Sequence, residues 1–495
     1  MIRALTTAAS ALALGACSLA PAYERPATPV PPSWPVGDAY LRQSEAALPA
    51  VSYRDIFRDP RLQRIIESAL ANNRDLRAAA ANIAIARAQY RIQRADRLPN
   101  VTAGATAGIR RGTSQGTTGT GTSVSTGGGV SDSYSADVGV TAFELDLFGR
   151  VASLSRAALN DYFATEAAAR ATRLTLVSDI ADAWLTYASD RSLMLIAENT
   201  SKSAMQSVRL TRLRLEGGIV PRTDLRQAEL VLAQANSDLA EQRTALAQDA
   251  NLLRLLVGAD VDATLLPASI ESVETTLAEL PAGLDSGVLL RRPDVVQAEY
   301  SLRSANAQIG AARAALFPRI SLTGLLGVAS GALGSLFSGD AFTWSASAGA
   351  DYNIFNAGAG REGVLQSRAQ RDLALANYEK AIQTAFREVS DALARRGTVA
   401  DQARAQIGLV ASAQDNYALN DLRYRGGIDT FLNSLDAQRS LYNAQRSLVA
   451  TRLVRAQNLV DLYRTIGGDA LLDATTDGPR PLSPEPTATP VPRTR

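Results

Sequence analysis

Two periods divide the chain. In four short stretches apolar and polar residues alternate. Between them, long stretches repeat their apolar residues at spacings of three and four. The alternation is clearest near residue 342, where Phe342, Trp344, Ala346, Ala348, Ala350, Tyr352 and Ile354 share one parity and Thr343, Ser345, Ser347, Gly349, Asp351 and Asn353 the other. A period of two places the sets on opposite faces of a strand. Ile320 and Leu322 against Ser321 and Thr323 repeat the pattern, as do Tyr134, Ala136, Val138 and Val140 against Ser135, Asp137 and Thr141, while Val101, Ala103, Ala105, Ala107 and Ile109 share a face. The alternation predicts strands over about 99–110, 133–148, 318–328 and 341–355. Residues 110–132 are almost wholly Gly, Ser and Thr, and a flexible external loop is expected there.

The rest reads as helix. Residues 151–216 contain neither Gly nor Pro, enough for roughly 100 Å of unbroken helix at 1.5 Å per residue. Stretches 222–257 and 428–466 are also uninterrupted. Leu174, Val177, Ala181, Trp184 and Ala188 carry coiled-coil-like spacing, as do Leu441, Ala444 and Leu448. The chain is also duplicated. Leu98-Pro99 recurs as Phe317-Pro318, Arg74-Asp75-Leu76 as Pro293-Asp294-Val295, Phe148 as Phe355 and Gly217-Gly218-Ile219 as Gly426-Gly427-Ile428, in the same order. Each half reads as helix, strand, loop, strand, long helix, Gly-Gly break, long helix.

Composition narrows the chemistry. Of 495 residues none is His and one is Cys, and the formal net charge is +2. A His-dependent triad, a His-bearing zinc site and a disulfide framework are excluded, and the balanced charge gives no nucleic-acid footprint. Carboxylates lie scattered along helices without a convergent pocket signature. The start reads Met1-Ile2-Arg3, a short apolar run, then Leu14-Gly15-Ala16-Cys17. That run is far short of the roughly 20 residues a membrane-spanning helix needs, so residues 1–16 read as a signal peptide. Cys17 stands where a bacterial lipobox places its lipidated cysteine, with Ser18 rather than Asp after it. An N-terminal diacylglycerol and palmitoyl lipid on Cys17 is therefore expected, and several acyl chains make a stable tether. The plainer alternative is an ordinary signal peptide with a chance cysteine. No later stretch is apolar for 18 residues, so any membrane crossing must be a β-barrel.

Four strands cannot close such a barrel, for which about eight is the minimum, and open edges are excluded from lipid because unpaired backbone groups there cost several kcal/mol each. The strands must be pooled between copies. Two copies would make eight strands around a side-chain-filled lumen, and three would make twelve around a pore. The small, polar residues of the second parity favour three.

Several segments carry a closer resemblance: Phe57-Arg58-Asp59-Pro60, Asn72-Asn73-Arg74-Asp75-Leu76-Arg77, Glu144-Leu145-Asp146-Leu147-Phe148-Gly149-Arg150, Leu290-Arg291-Arg292-Pro293-Asp294, Ile309-Gly310-Ala311-Ala312-Arg313 and Leu435-Asp436-Ala437-Gln438-Arg439-Ser440. From Cys17 to about Gly468 the chain resembles the outer-membrane factors of tripartite efflux pumps, of the OprM type in the TolC-like group. The resemblance implies an α+β membrane protein: a homotrimer whose 12-stranded outer-membrane barrel continues as a long periplasmic α-helical barrel with a mixed equatorial region. It implies a passive, non-enzymatic exit for drugs or other small molecules, working with a periplasmic adaptor (membrane fusion protein) and an inner-membrane RND transporter. No cofactor and no metal are expected. Leu432 and Asp436 match the rings that close the periplasmic tip, Arg423, Asp429, Asp224 and Arg226 are candidate gate locks, and Gly218 and Gly427 match the turns that meet the adaptor. The expected organisation is signal peptide 1–16, lipidated linker 17–52, first repeat 53–258, equatorial connector 259–284, second repeat 285–468 and disordered tail 469–495. A duct for type I secretion or metal ions is the near alternative, and a trimeric adhesin, with four strands per chain gathered at its C-terminus, the distant one.

Overall fold

The computed structural model describes residues 19–35, 37, 39–40, 52–116, 124–278 and 286–482. The expected signal peptide and Cys17 lie outside them. In chain order the elements are α1 (Tyr53–Ile56), α2 (Pro60–Asn72), α3 (Arg74–Ala95), β1 (Val101–Gly116), β2 (Val124–Leu145), α4 (Arg150–Glu216), α5 (Arg222–Val257), α6 (Ile270–Glu274), α7 (Pro293–Ala314), β3 (Arg319–Ser330), β4 (Phe342–Asp351), α8 (Ala359–Arg425), α9 (Phe431–Thr465), β5 (Leu472–Thr475) and β6 (Gly478–Pro481). Two compact units are present. The first comprises Met1–Arg25, Ala84–Tyr162 and Tyr300–Ala376; the second comprises Pro26–Ile83, Phe163–Glu299 and Asn377–Arg495.

The first unit carries a four-stranded antiparallel sheet in the order β1-β2-β3-β4. Directly opposed residues share a face, so the register converts the sequence parity into two surfaces. Val138 lies opposite Ala103 and Leu326, and Leu326 opposite Trp344. This face also carries Val101, Ala105, Val328, Phe342 and Ala346. The other carries Thr106 opposite Ser135, Asp137 opposite Gly104 and Gly327, and Thr323 opposite Ser347. Every residue of β4 is exposed in the single chain, and Phe342 and Trp344 keep 62% and 70% of their surface open among the described residues.

The strands run further than the alternation predicted at β1 and β2, reaching Gly116 and starting at Val124. The expected external loop is thus largely strand, and 117–123 lies outside the described residues. A Gly-, Ser- and Thr-rich strand has no apolar parity to betray it. In contrast, β4 stops at Asp351, leaving Tyr352, Ile354 and Phe355 beyond the ladder. Between Val140 and Phe143 the β2–β3 register shifts by a bulge, with Ala142 at φ 52° and its N–H donating to Thr323 Oγ1 at 3.0 Å. The extra residue keeps Val140 and Phe143 on one face despite their odd separation.

Glycine shapes the corner between β2 and β3. A Cβ on Gly139 would lie 2.1 Å from the Gly324 carbonyl oxygen, and one on Gly327 would lie 2.4 Å from that of Ala136. Both belong to the polar face, and at both the backbone of the neighbouring strand lies closer than a side chain would allow. At the junction with α4, Arg150 donates to both Glu144 oxygens at 2.8 and 2.6 Å, Asp146 accepts from the N–H groups of Val151 and Ala152, and Phe148 stacks on Phe317 at 4.6 Å. Asp146 thereby satisfies donors that a helix start leaves free.

The second unit is helical. Leu174, Val177, Ala181, Trp184 and Ala188 are all buried, as their spacing predicted, and Phe57, Leu62, Ile66 and Tyr463 are buried with them. Trp184 Nε1 donates to the Leu265 carbonyl at 3.1 Å, tying α4 to the short helical turns after α5. Arg292 joins three helices: it donates to the Thr465 carbonyl at 2.7 Å, to Asp294 at 2.7 Å and to Glu388 at 2.9 Å. The expected disordered tail is corrected over 469–482. There β5 and β6 form a hairpin, Leu471 and Leu472 are buried, and Asp469 accepts from Tyr463 at 3.0 Å and Arg173 at 3.1 Å. Residues 483–495 lie outside the described residues.

Two outcomes test these features. Gly139→Val collides with backbone that no rotamer change relieves, and should destabilise the sheet by about 1–3 kcal/mol. Gly104→Val, whose Cβ meets only Asp137 oxygens at 3.7 and 3.8 Å, should be close to neutral; heat-modifiability on gels compares the two. The second concerns Asp182. Burial, helped by Asp461 against Arg464, pushes its carboxyl up to about 7, and Oδ1 has no hydrogen-bond partner. A raised folded value means stability is present below the unfolded value near about 4 and lost as pH rises toward 7. Thermal midpoints of the second unit should therefore fall between pH 5 and pH 8, and Asp182→Asn should flatten that slope.

Candidate functional site

Both long helices of the second unit that end at Gly-Gly close in the same way. At the end of α4, Gly218 N–H donates to the Leu215 carbonyl at 2.9 Å and Ile219 N–H to that of Arg214 at 2.8 Å; at the end of α8, Gly427 donates to Tyr424 at 3.0 Å and Ile428 to Arg423 at 2.9 Å. This nested pair of bonds is the Schellman motif, which needs a left-handed residue. Gly218 at φ 68° and Gly427 at φ 74° supply it. A Cβ at either would meet nothing within 4 Å, so backbone conformation, not crowding, calls for glycine here. Ile219 and Ile428 stand beside them, 74% and 71% exposed.

The side chains around the turns differ although the backbones match. Arg214, three residues before Gly217, reaches across to α8. It donates to the carbonyls of Tyr424 at 3.1 Å and Arg425 at 2.9 Å, with its guanidinium 4.5 Å from the Tyr424 ring centre. These carbonyls are among the last of α8; that of Tyr424 also accepts from Gly427 N–H, and a cation at that end is favoured by the helix dipole. Its counterpart in the duplication, Arg423, turns instead to Asp429 at 3.1 Å. Asp429 also accepts from Thr430 N–H at 2.8 Å and from Asn433 at 2.6 Å. These bonds, the Thr430 N–H first, hold its carboxyl below the usual range.

Beneath the turns lies a small apolar cluster of Val208, Ala228, Tyr424, Phe431 and Leu435, with Leu225 and Leu232 at its border. It draws on all four helices α4, α5, α8 and α9, with the Tyr424 and Phe431 rings 5.2 Å apart. Further along, Asp238 of α5 is buried and accepts from Tyr442 of α9 and from Gln234 at 2.8 Å, with Arg446 at 3.9 Å. Burial, then Asp238, pushes the Tyr442 hydroxyl well up.

The structure brings some of the sequence-predicted residues together. Arg423 and Asp429 pair. Arg226 pairs within its own helix with Glu229 at 2.6 Å, and Glu229 also meets Arg212 of α4 at 3.6 Å. Asp224 joins neither Arg423 nor Asp429 among the described contacts; it stands in the first turn of α5. Leu432 is 49% exposed, and Asp436, one turn on, meets only Arg439 at 3.8 Å among the described ion pairs. Arg214, Tyr424 and Phe431 were not singled out from sequence. The duplication held a signal for the first, since Arg214 and Arg423 occupy the same place before each Gly-Gly. Among the described residues no His, Cys, Asp and Glu grouping could hold a metal, and no helix is long and apolar enough to cross a membrane.

Phe431→Ala should cost about 3 kcal/mol, read as faster amide exchange near 208–232 and 424–435. Because Asp429 has a lowered folded value, its contribution is present above the unfolded value near about 4 and lost as pH falls through the folded one. Protection of the second turn should thus decline on acidification below that range, and Asp429→Asn should remove the dependence.

The family described as outer membrane efflux protein matches residues 65–259 and 285–468. The probable efflux pump outer membrane protein TtgC of Pseudomonas putida is 44% identical over 467 residues, covering 94% of this chain and 95% of that one. The outer membrane protein OprJ of Pseudomonas aeruginosa is 40% identical, covering 92% and 94%. The open-state structure of the Neisseria gonorrhoeae MtrE outer membrane channel superposes with a TM-score of 0.79 at 34% identity, covering 91% and 98%.

Proposed function

The chain belongs to the outer membrane efflux protein family, and on that premise we propose that three copies form the passive outer-membrane exit channel of a tripartite pump for drugs or other small molecules. The observation that carries this reading is the four-stranded sheet: it has one apolar face, one polar face, and edge strands β1 and β4 with only one neighbour each among the described residues. Such edges are untenable in hydrocarbon. Joining β4 of one copy to β1 of the next removes every edge and turns the polar faces onto a common lumen. Twelve strands leave room for a pore where eight would not. The helices of each copy carry the duct into the periplasm, and a lipid on Cys17 adds an anchor.

The paired turns serve as the gate. Leu432 and Asp436 lie four apart on α9 and share a face, so threefold symmetry makes each a ring, the second a like-charge ring that favours cations. The Arg423–Asp429 pair and Arg214 hold the turns in place, while Arg226, paired with Glu229 on its own helix, and Asp224 in the first turn of α5 would serve between copies. Gly218 and Gly427, with Ile219 and Ile428 exposed beside them, present small apolar tips to a periplasmic adaptor that links to an RND transporter.

In planar bilayers Leu432→Ala should raise single-channel conductance several-fold, and Asp436→Asn should lower the preference for potassium over chloride. If both are unchanged, these residues do not form the gate. Native mass measurement in detergent should give three chains per particle. Deletion should sensitise cells to drugs, and unchanged susceptibility would overturn the efflux reading.

A further inference from the structure

On the polar face of the four-stranded sheet, one cross-strand row reads Gly104, Asp137, Gly327, Thr343. Asp137 thus has a glycine beside it on each neighbouring strand. Its two carboxylate oxygens lean over Gly104, 3.7 and 3.8 Å from where a Cβ there would stand. On the other side a Cβ on Gly327 would lie 2.9 Å from the Cα and Cβ of Asp137. Neither neighbour covers the carboxylate, and it has no hydrogen bond or ion pair among the described residues.

The carboxylate is isolated in charge as well. The adjoining rows of this face carry Thr102, Gly139, Leu325 and Ser345 on one side and Thr106, Ser135 and Ala329 on the other, none of them ionisable. The next charges along the face are Arg110 and Glu144. Arg110 lies six residues beyond Gly104 on β1, and Glu144 lies opposite Ser321, six residues before Gly327 on β3. Six residues of strand span about 20 Å, more than two Debye lengths of about 8 Å at physiological salt. Glu144 is moreover paired with Arg150. No countercharge on this face reaches Asp137.

We propose that Asp137 is a selectivity-determining residue of the pore, one of three carboxylates that ring the barrel lumen and admit cations, protonated amines among the cargo, ahead of anions. The inference rests on the reading that three copies turn their polar faces onto a common lumen. Twelve strands about 4.8 Å apart and tilted by about 40° give a backbone radius of about 12 Å, which leaves each carboxylate about 9 Å from the axis. That is close to one Debye length, so the charges act on the axis without blocking it. Three unit charges at that distance in water favour a univalent cation over an anion about fivefold at physiological salt, and less than about 1.5-fold at 1 M. The two glycines keep the carboxylate uncovered. The ring at Asp436 belongs to the other unit, and Asp137 acts apart from it.

The test measures reversal potentials across planar bilayers under a potassium chloride gradient. Full-length channels carry Leu432→Ala and Asp436→Asn, so that the tip neither limits nor selects. Adding Asp137→Asn, which keeps the side chain's size and breaks no bond, should lower the potassium-to-chloride permeability ratio about three- to fivefold near 0.1 M salt. At 1 M the difference should vanish. Asp137→Lys should move the preference to chloride, and Thr343→Lys, in the same row, should shift it the same way. An unchanged ratio with Asp137→Asn, where Thr343→Lys does shift it, overturns the role of Asp137 and leaves the lumen reading standing. No shift with either lysine in channels that conduct overturns the lumen reading and the role of Asp137 with it. A loss with Asp137→Asn that persists at 1 M overturns the proposal too, because pore shape rather than charge would then be its cause.

Discussion

Backbone hydrogen bonding in a medium without water governs this protein. A sheet of four strands has two edges, and each edge is a row of N–H and C=O groups that hydrocarbon cannot satisfy. The same sheet has an apolar face whose Phe342 and Trp344 stay 62% and 70% exposed in the single chain, and a polar face where Gly139 and Gly327 admit the neighbouring backbone. These features are consistent only when copies share strands. The bulge at Ala142 serves the same end, since without the extra residue Phe143 and Leu145 would turn from the apolar face to the polar one.

The duplication shows how one backbone can serve two mechanical roles. Both Gly-Gly turns use the same two bonds and the same left-handed glycine, yet Arg214 ties α4 to α8 whereas Arg423 ties α8 to the start of α9. One copy of the turn braces the neighbouring helices and the other braces itself. The apolar cluster below them is small, and four helices share it. A modest cluster held by a few charge-assisted bonds buries less apolar surface than the helical core around Trp184 and Tyr463, and few buried contacts are the mark of a segment that opens locally before the rest. Deeper in that unit, Arg292 and Trp184 fix helices against one another through buried bonds, which suits a part that stays fixed.

Much was legible from residues close together in the chain. Period two placed four strands and their faces, the absence of Gly and Pro placed α4 to α5, and two Gly-Gly-Ile triplets placed the turns, because each is decided by φ/ψ preference and by neighbours within a few residues. Leu432 and Asp436 entered only as matched positions and Arg423, Asp429, Asp224 and Arg226 only as a group of neighbouring charges, within which the structure pairs Arg423 with Asp429.

Tertiary structure decided the rest. The Gly-, Ser- and Thr-rich ends of β1 and β2 are strands because they pair with each other, a fact no parity records. Residues 469–482 fold because Leu471 and Leu472 find a core made elsewhere in the chain. Arg214 meets its carbonyls 210 and 211 residues away, and Arg313 meets Leu19 across 294. Local periodicity determined which elements form. Which distant carbonyl an arginine caps, and which glycine makes room for another segment's backbone, depends on how those elements pack.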